Sequence, residues 1–165
     1  MRKTFLAALT AFCMAGCCNS THETQNAIAG DSVPQKQPSP SREDTINAMA
    51  TAFARQESMF DHTAVSPCGK WVGCLQISKI CVAEANRIIG DTVFFDGSFG
   101  YIDDRLDRQG SYAIFKTVQN HHNPGLDIDR AIDVWNKKAG SEYRNNVKSY
   151  YAEYLYNNIN YFELP

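Results

Sequence analysis

The sequence predicts an all-α domain, with an α-rich α+β arrangement as the alternative because Val93-Phe94-Phe95 could form a brief strand. Two observations favour helices. Apolar residues recur at the helical period in several separate stretches, and connections rich in Gly, Asp and Pro separate these stretches. The chain of 165 residues can bury a real core and shows no internal repeat. We therefore expect a single domain of several short helices.

The first predicted helix begins at Ser41-Arg42-Glu43-Asp44, where a capping residue precedes acidic residues in the first turn. Apolar residues then recur at helical spacing through residues 46–54. Each residue turns a helix by about 100°, so Glu57 lies only about 20° from Ile46 around the axis. Glu57 therefore falls on the buried face near the end of this helix, which is an unusual place for a carboxylate.

The remainder of the chain predicts four further helices between irregular connections. The same periodicity, together with capping residues and breakers, places the helices at Leu75 to Ile89, Arg108 to His121, Arg130 to Trp135 and Tyr143 to Asn157. A loop covers residues 61–72, and Asp129 is the expected cap of the fourth helix. His121-His122 is interpreted as a helix end, because adjacent histidines on a helix point about 100° apart.

The N-terminus predicts an export signal over residues 1–16. Arg2-Lys3 precedes an apolar run of the length of a secretory signal, which is too short to span a membrane comfortably. The run ends in Met14-Ala15-Gly16-Cys17, which resembles a bacterial lipobox and implies lipidation of Cys17. The alternative is an ordinary signal peptide cleaved after Ala15 or Gly16. Both predict an exported protein, and the first anchors it in a membrane facing the periplasm or the cell surface.

Residues 17–43 are predicted to form a flexible linker. They are rich in Asn, Ser, Thr and Gln, contain three prolines, and have almost no large apolar side chains with which to offset the entropy of ordering. The folded domain is accordingly assigned to residues 44–165.

Composition and cysteine spacing exclude several classes of function. The net charge of −2 argues against a nucleic-acid-binding protein. Cys68, Cys74 and Cys81 lack the spacing of zinc ligands, and we expect neither a metal nor a cofactor. Cys68 and Cys74 flank a loop and could pair in an oxidising compartment or remain reduced.

Glu57 is the main candidate for a catalytic group. Burial and the negative end of the helix dipole both disfavour its charged form. A glutamic acid that stays protonated near neutral pH is what protonation of a glycosidic oxygen requires. The alternative is a partly buried Glu bound to an arginine or a backbone N–H, or a solvated helix end.

Three short sequence motifs follow one another along the chain. They are Glu57-Ser58, then Ala64-Val65-Ser66-Pro67-Cys68-Gly69 with Gly73-Cys74-Leu75-Gln76-Ile77, and the weaker Ala131-Ile132-Asp133-Val134-Trp135-Asn136. These motifs resemble those of the lysozyme-like lytic transglycosylase (SLT domain) family. The resemblance covers roughly Thr45 to Tyr150, and Gly110-Ser111-Tyr112 fits the middle helix of that family.

The resemblance implies a lysozyme-like domain with a substrate cleft that binds peptidoglycan glycan strands. It implies cleavage of the β-1,4 bond between N-acetylmuramic acid and N-acetylglucosamine by a single glutamate, here Glu57. That residue first protonates the leaving oxygen and then acts as base on the muramic 6-hydroxyl, which gives a 1,6-anhydro end. A second carboxylate is unnecessary because the substrate's own N-acetyl group can stabilise the cationic centre.

Two alternatives stay open on the same fold, namely a muramidase that hydrolyses the bond and a non-catalytic peptidoglycan-binding lipoprotein. A hydrolase normally needs two carboxylates, and no Asp or Glu lies between His62 and Ala83. More distant aspartates could approach Glu57 in space, namely Asp61, Asp91, Asp103, Asp104 and Asp107.

The resemblance also implies supporting site residues. Ser58 matches the serine beside the acid, Gln76 the glutamine that lines the cleft, and Asn136 the asparagine of the third motif. Trp135 stands where the family has a tyrosine whose hydroxyl bonds the catalytic acid. An indole can donate a hydrogen bond but cannot accept one, so that contact is either altered or supplied elsewhere, with Tyr143 as a candidate.

Overall fold

The structure is a computed structural model that describes residues 39–163. The predicted signal peptide at 1–16, Cys17 and most of the predicted linker lie outside the described residues, as do residues 164–165. The described chain is rich in helix, as predicted. Its helices are α1 (Arg42–Ser58), α2 (Lys79–Ile89), α3 (Arg108–His122), α4 (Ile128–Trp135) and α5 (Ser141–Asn157), and short 3₁₀ turns lie at Ser98–Gly100 and Tyr161–Glu163.

Helix α1 begins where the sequence predicted. Its first residue, Arg42, lies before residue 44, the predicted start of the folded domain. The Ser41 side chain accepts a hydrogen bond from the Asp44 backbone, while the Asp44 side chain accepts one from the Ser41 backbone. This reciprocal capping satisfies two amide groups that a helix start otherwise leaves unpaired. Residues 42–43 therefore belong to α1, and their assignment to the linker was wrong.

The β structure is a two-stranded antiparallel hairpin made of β1 (Trp71–Val72) and β2 (Ile77–Ser78). Residues 93–95 form no strand. The prediction that α2 starts near Leu75 was wrong, because Ile77 and Ser78 pair with β1 and Ser78 then caps the helix. The apolar residues of the hairpin imitate helical spacing, which is why periodicity merged the two elements.

Two further helix starts differ from the prediction. Helix α4 begins at Ile128 because Asp127, not Asp129, accepts the Arg130 N–H at 2.8 Å. Helix α5 begins at Ser141, two residues before the predicted Tyr143. The boundaries of α3 agree with the prediction to within one residue, and Asn123 ends it.

Helix α1 forms the centre of the core. Residues 46–54 are all buried, and alternating alanines in this segment let neighbouring helices approach closely. Helix α5 packs along α1, and α3 also contacts it. The ring of Phe53 on α1 lies 5.4 Å from that of Phe115 on α3 and 6.1 Å from that of Trp135 on α4. This aromatic contact holds the last turns of α1 close to the end of α4.

The cysteines of the described chain form no disulfide. Cys68, Cys74 and Cys81 are all free, so the open possibility of a Cys68–Cys74 disulfide is not realised. Cys74 is buried with its sulfur 3.5 Å from the Ser111 hydroxyl, whereas Cys68 lies on an exposed turn.

Across residues 39–163, no helix has both the length and the apolar character needed to cross a membrane.

Gly73 should be essential to the hairpin, because its φ of +80° is left-handed and a Cβ there would lie 1.7 Å from the Arg105 carbonyl oxygen. We expect Gly73→Ala to lower the free energy of unfolding by about 3 kcal/mol or more, from backbone strain plus the steric clash. Chemical denaturation measures this difference.

Gly69→Ala is the matched control, because Gly69 also has a positive φ (+69°) but has open space around its Cα. It should cost only about 1–2 kcal/mol from the left-handed backbone. Equal losses in the two variants would contradict the steric explanation.

Candidate active site

Glu57 lies half-buried in the last turn of α1. The hydroxyl of Tyr143, in the first turn of α5, donates a hydrogen bond to Glu57 Oε1 at 2.5 Å. The contact that the sequence assigned to Tyr143 is therefore present. It depends on the packing of α5 along α1, which brings together two side chains that are far apart in the chain.

The environment of Glu57 favours its protonated form. Burial raises the pKa of Glu57 above the ordinary value of 4.5, and the hydrogen bond from Tyr143 opposes part of this rise. Burial acts because an anion loses solvation in the protein interior, and the negative end of α1 adds to the effect. The side chain can therefore act as a proton donor above the pH at which a solvent-exposed glutamate has already ionised.

Asn136 connects the end of α4 to this pair. It is the C-cap residue of α4, and its side chain lies near enough to the Tyr143 phenol to lower the pKa of that phenol. Burial, and then the charge of Glu57, raise the pKa of the Tyr143 phenol, against the effect of Asn136. The phenol therefore stays protonated at neutral pH and remains the donor to Glu57.

Trp135 does not take the position of a hydrogen-bonding tyrosine. Its ring packs 4.8 Å from the ring of Phe115 and 6.1 Å from that of Phe53, so it is anchored in the core. The part of the side chain that remains exposed contributes to the groove wall. Its role in this arrangement is therefore to shape the groove and to support the neighbouring Asn136.

Glu57 faces an open groove with a volume of about 360 Å³, which we call the acid section. It includes four of the predicted site residues together with residues that the sequence did not single out. The lining side chains are Glu57, Trp71, Gln76, Trp135, Asn136, Lys137 and Lys138.

Ser58 and Gln76 connect α1 to the hairpin turn. Ser58 Oγ donates to the Cys74 carbonyl at 2.9 Å, so Ser58 fixes the turn and does not line the groove. Gln76 has a positive φ of 48°, and its side-chain Nε2 donates to the Gly73 carbonyl at 2.9 Å. This strained backbone is held by local hydrogen bonds and places the amide of Gln76 in the groove wall.

A second section, which we call the outer section, adjoins the first and has a volume of about 710 Å³. The two sections share Trp71, Gln76, Trp135 and Lys137, so they form one continuous groove. The outer section extends between α2, α3 and α4 as far as Glu84 and His122. An extended groove of this kind suits a linear polymer better than a compact small molecule.

The carboxylates other than Glu57 are bound to nearby donors or lie elsewhere. Within the described part of the chain, Glu57 is the one carboxylate that lines the acid section. In the outer section, Glu84 binds Arg87 and His122, each at 2.7 Å, and Asp133 binds Arg144. These partners lower the pKa of Glu84 to about 2 and also lower that of Asp133, so both stay ionised.

The aspartates that could have approached Glu57 lie outside both sections. Asp107 caps α3, Asp103 binds Arg105, and Asp104 accepts the Phe95 N–H. Asp61 is exposed and accepts hydrogen bonds from Thr63, whose backbone and hydroxyl both contact it. Of the residues that the structure describes, the acid section therefore contains a single carboxylic acid, which is hydrogen-bonded to a tyrosine.

Sequence reasoning missed Trp71, Lys137 and Lys138 as groove residues. Trp71 lies at the start of β1 with about half of its surface exposed (47%), and it lines both sections. An exposed tryptophan between two halves of a motif was an available signal, since large aromatic rings on a surface commonly bind ligands. The lysines directly follow Asn136, which is the last residue of the third sequence motif.

Comparison with known proteins adds no further assignment. The sequence matches no protein-family model, no curated protein and no solved structure. Among residues 39–163, no cluster of three or more His, Cys, Asp or Glu side chains could hold a metal ion. The assignment of function therefore depends on the geometry and chemistry of the groove.

Replacement of Glu57 by Gln should stabilise the protein above neutral pH. The raised pKa means that the wild-type protein loses stability as the pH rises through that pKa, while at a pH well below 4.5 Glu57 is uncharged in both the folded and the unfolded chain. Glu57→Gln keeps the shape and the Tyr143 contact but has no charge to bury. Thermal unfolding should show a higher Tm for the variant at pH 8 and little difference at pH 3.5.

Glu43→Gln is a control with the opposite sign. Its hydrogen bond and ion pair with Lys116 lower the pKa of Glu43, so this carboxylate stabilises the fold above its ordinary pKa of 4.5, and that stability is lost at lower pH. The control should therefore have a reduced Tm at pH 8. A lower Tm for Glu57→Gln at pH 8 would contradict the proposed cost of burying the Glu57 charge.

Tyr143→Phe should raise the pKa of Glu57 further. The Tyr143 hydroxyl favours the ionised form of Glu57, so its loss leaves the effect of burial without that opposing contact. Titration of ¹³C-labelled glutamate side chains by NMR measures the change directly. Tyr156→Phe, which removes an exposed hydroxyl near the end of α5, should leave the Glu57 titration unchanged.

Proposed function

We propose that this protein is a peptidoglycan lytic transglycosylase with a lysozyme-like fold, in which Glu57 is the single catalytic acid and base. The observation that carries the proposal is the environment of Glu57 in the acid section, namely its burial, its hydrogen bond and its neighbours. Glu57 is a carboxylic acid whose pKa is raised by burial and which accepts a hydrogen bond from a tyrosine hydroxyl, and within residues 39–163 no other carboxylate lines that section of the groove. The order of the three sequence motifs along the chain supports the same proposal.

In the first step, Glu57 donates its proton to the glycosidic oxygen between N-acetylmuramic acid and N-acetylglucosamine. The bond from C1 of the muramyl unit to that oxygen breaks, and the N-acetylglucosamine side leaves with a free hydroxyl. Glu57 is now a carboxylate in a half-buried site, where the Tyr143 hydroxyl stabilises its charge. The substrate's own N-acetyl group stabilises the cationic centre at C1.

In the second step, the Glu57 carboxylate removes a proton from the 6-hydroxyl of the muramyl unit. The 6-oxygen bonds to C1, a 1,6-anhydro ring closes, and Glu57 is protonated again. No water enters the product, and the proton that Glu57 gave up is recovered. A single residue can serve as both acid and base because burial raises its pKa while Tyr143 limits the rise.

The groove wall positions the glycan strand around this group. Trp71 and Trp135 provide apolar surfaces on which a sugar ring can stack, and the Gln76 amide offers a hydrogen-bonding group on the same wall. Asn136 orients Tyr143, and Ser58 fixes the hairpin turn that carries Gln76. The outer section provides room for the strand beyond the reacting bond.

We also propose that the protein acts outside the cytoplasm. An export signal over residues 1–16 and lipidation of Cys17 would hold the domain at a membrane facing the periplasm or the cell surface, close to its polymer. The linker after Cys17 would give the domain reach along the cell wall.

Glu57→Gln should lower turnover of purified sacculi by roughly 10²–10⁴-fold, the usual contribution of general acid–base catalysis. Release of soluble muropeptides measures the rate, and mass spectrometry identifies the ends. The wild-type protein should produce 1,6-anhydro ends, which are lighter by one water than hydrolysed ends. Glu43→Gln, at the opposite end of α1 from the groove, is the matched control and should retain full activity.

The same assay separates the other candidate functions. Ordinary reducing ends would establish a muramidase in place of the transglycosylase. Binding to sacculi without soluble product would establish a peptidoglycan-binding lipoprotein. Unchanged turnover in Glu57→Gln would remove Glu57 from the mechanism altogether.

A further inference from the structure

Two adjacent lysines line the acid section beside Glu57. Lys137 and Lys138 form the turn that follows α4, and a hydrogen bond of 2.9 Å from the Ala139 N–H to the Asn136 carbonyl closes this turn. Both side chains are exposed. Asn136 is the C-cap residue of α4 and lines the acid section together with Glu57, so the turn that carries the lysines begins directly beside the acid.

Neither Lys137 nor Lys138 belongs to an ion pair within residues 39–163. Lys137 does act electrostatically on Asp133, but that carboxylate already binds Arg144. Among the described residues, Glu57 is the one acidic group that lines the acid section, and burial raises its pKa.

Among the described residues, the acid section therefore carries two lysines without ion pairs and one carboxylic acid, in a chain whose net charge is −2. Two ammonium groups at the edge of a binding groove, without ion-pair partners among these residues, are complementary to an anionic group on the bound molecule. In a glycan strand, the chemical group of that kind is a carboxylate.

We propose that Lys137 and Lys138 form a carboxylate-binding subsite beside Glu57, so that the groove selects glycan strands whose muramyl units carry a carboxylate. This inference rests on the proposed function. N-acetylglucosamine is neutral, whereas a muramyl unit carries a lactyl group that ends in a free carboxylate or in a peptide with carboxylates of its own. The lysines thereby distinguish the natural polymer from an uncharged chain of N-acetylglucosamine, and they orient the muramyl unit toward Glu57.

The test measures binding, so that it does not depend on turnover. Full-length Glu57→Gln serves as the parent, and Lys137→Gln and Lys138→Gln are added to it together. The probes are soluble strands that retain peptides, soluble strands from which the peptides have been removed, and an N-acetylglucosamine oligomer of similar length. We expect the added substitutions to weaken binding of carboxylate-bearing strands by roughly tenfold, as two exposed ion pairs would, and to leave the neutral oligomer unaffected.

Salt dependence provides an independent readout. Raising the salt from about 0.05 M to about 0.5 M should weaken binding of charged strands by the parent, with a much smaller effect on the variant without the lysines. Loss of affinity for strands without peptides assigns the subsite to the lactyl carboxylate. Loss confined to strands that retain peptides assigns it to a peptide carboxylate. Either result supports the proposal.

The matched control is Lys116→Gln with Lys148→Gln in the same parent, which removes the same charge outside both groove sections. Lys116 pairs with Glu43 at the far end of α1, and Lys148 pairs with Asp129. If all three probes bind equally well with and without Lys137 and Lys138, the subsite is disproved and the proposed function stands. If the parent binds none of the glycans, the proposed function fails and the subsite fails with it.

Discussion

The hydrogen bond from Tyr143 to Glu57 is the contact on which the arrangement of the groove depends. It joins the last turn of α1 to the first turn of α5, and it forms only because the two helices pack along each other. The ring cluster of Phe53, Phe115 and Trp135 brings the end of α4 to the same place. Three helix ends therefore meet around one carboxylic acid.

Two opposing effects act on the pKa of Glu57. Burial alone would leave Glu57 seldom ionised and so seldom available as a base, whereas a strong hydrogen bond at an exposed position would leave it ionised and so seldom available as an acid. Here burial raises its pKa and Tyr143 limits the rise, so both protonation states are accessible to one residue. The Ser58 hydroxyl holds the Cys74 carbonyl and so ties α1 to the turn that carries Gln76.

The two sections of the groove differ in their charged residues. Among the described residues, Glu84 in the outer section binds Arg87 and His122, and Asp133 binds Arg144. Lys137 and Lys138, which take part in no ion pair among these residues, line the acid section together with Glu57. In the proposed function, catalysis and substrate selection therefore rest on adjacent but different residues.

The sequence by itself determined the helices and the position of Glu57, because helical periodicity and capping depend on residues within a few positions of one another. The cap at Ser41, the end of α3 and the burial of α1 followed from such local patterns. The structure decided the β1–β2 hairpin, the start of α2 at Lys79 and the free state of Cys74. It also placed Trp71 and the lysines in the groove. Tyr143 was a candidate from its motif, but its bond to Glu57 spans 86 residues of chain. Contacts across such distances depend on how the helices pack, and local spacing does not encode that packing.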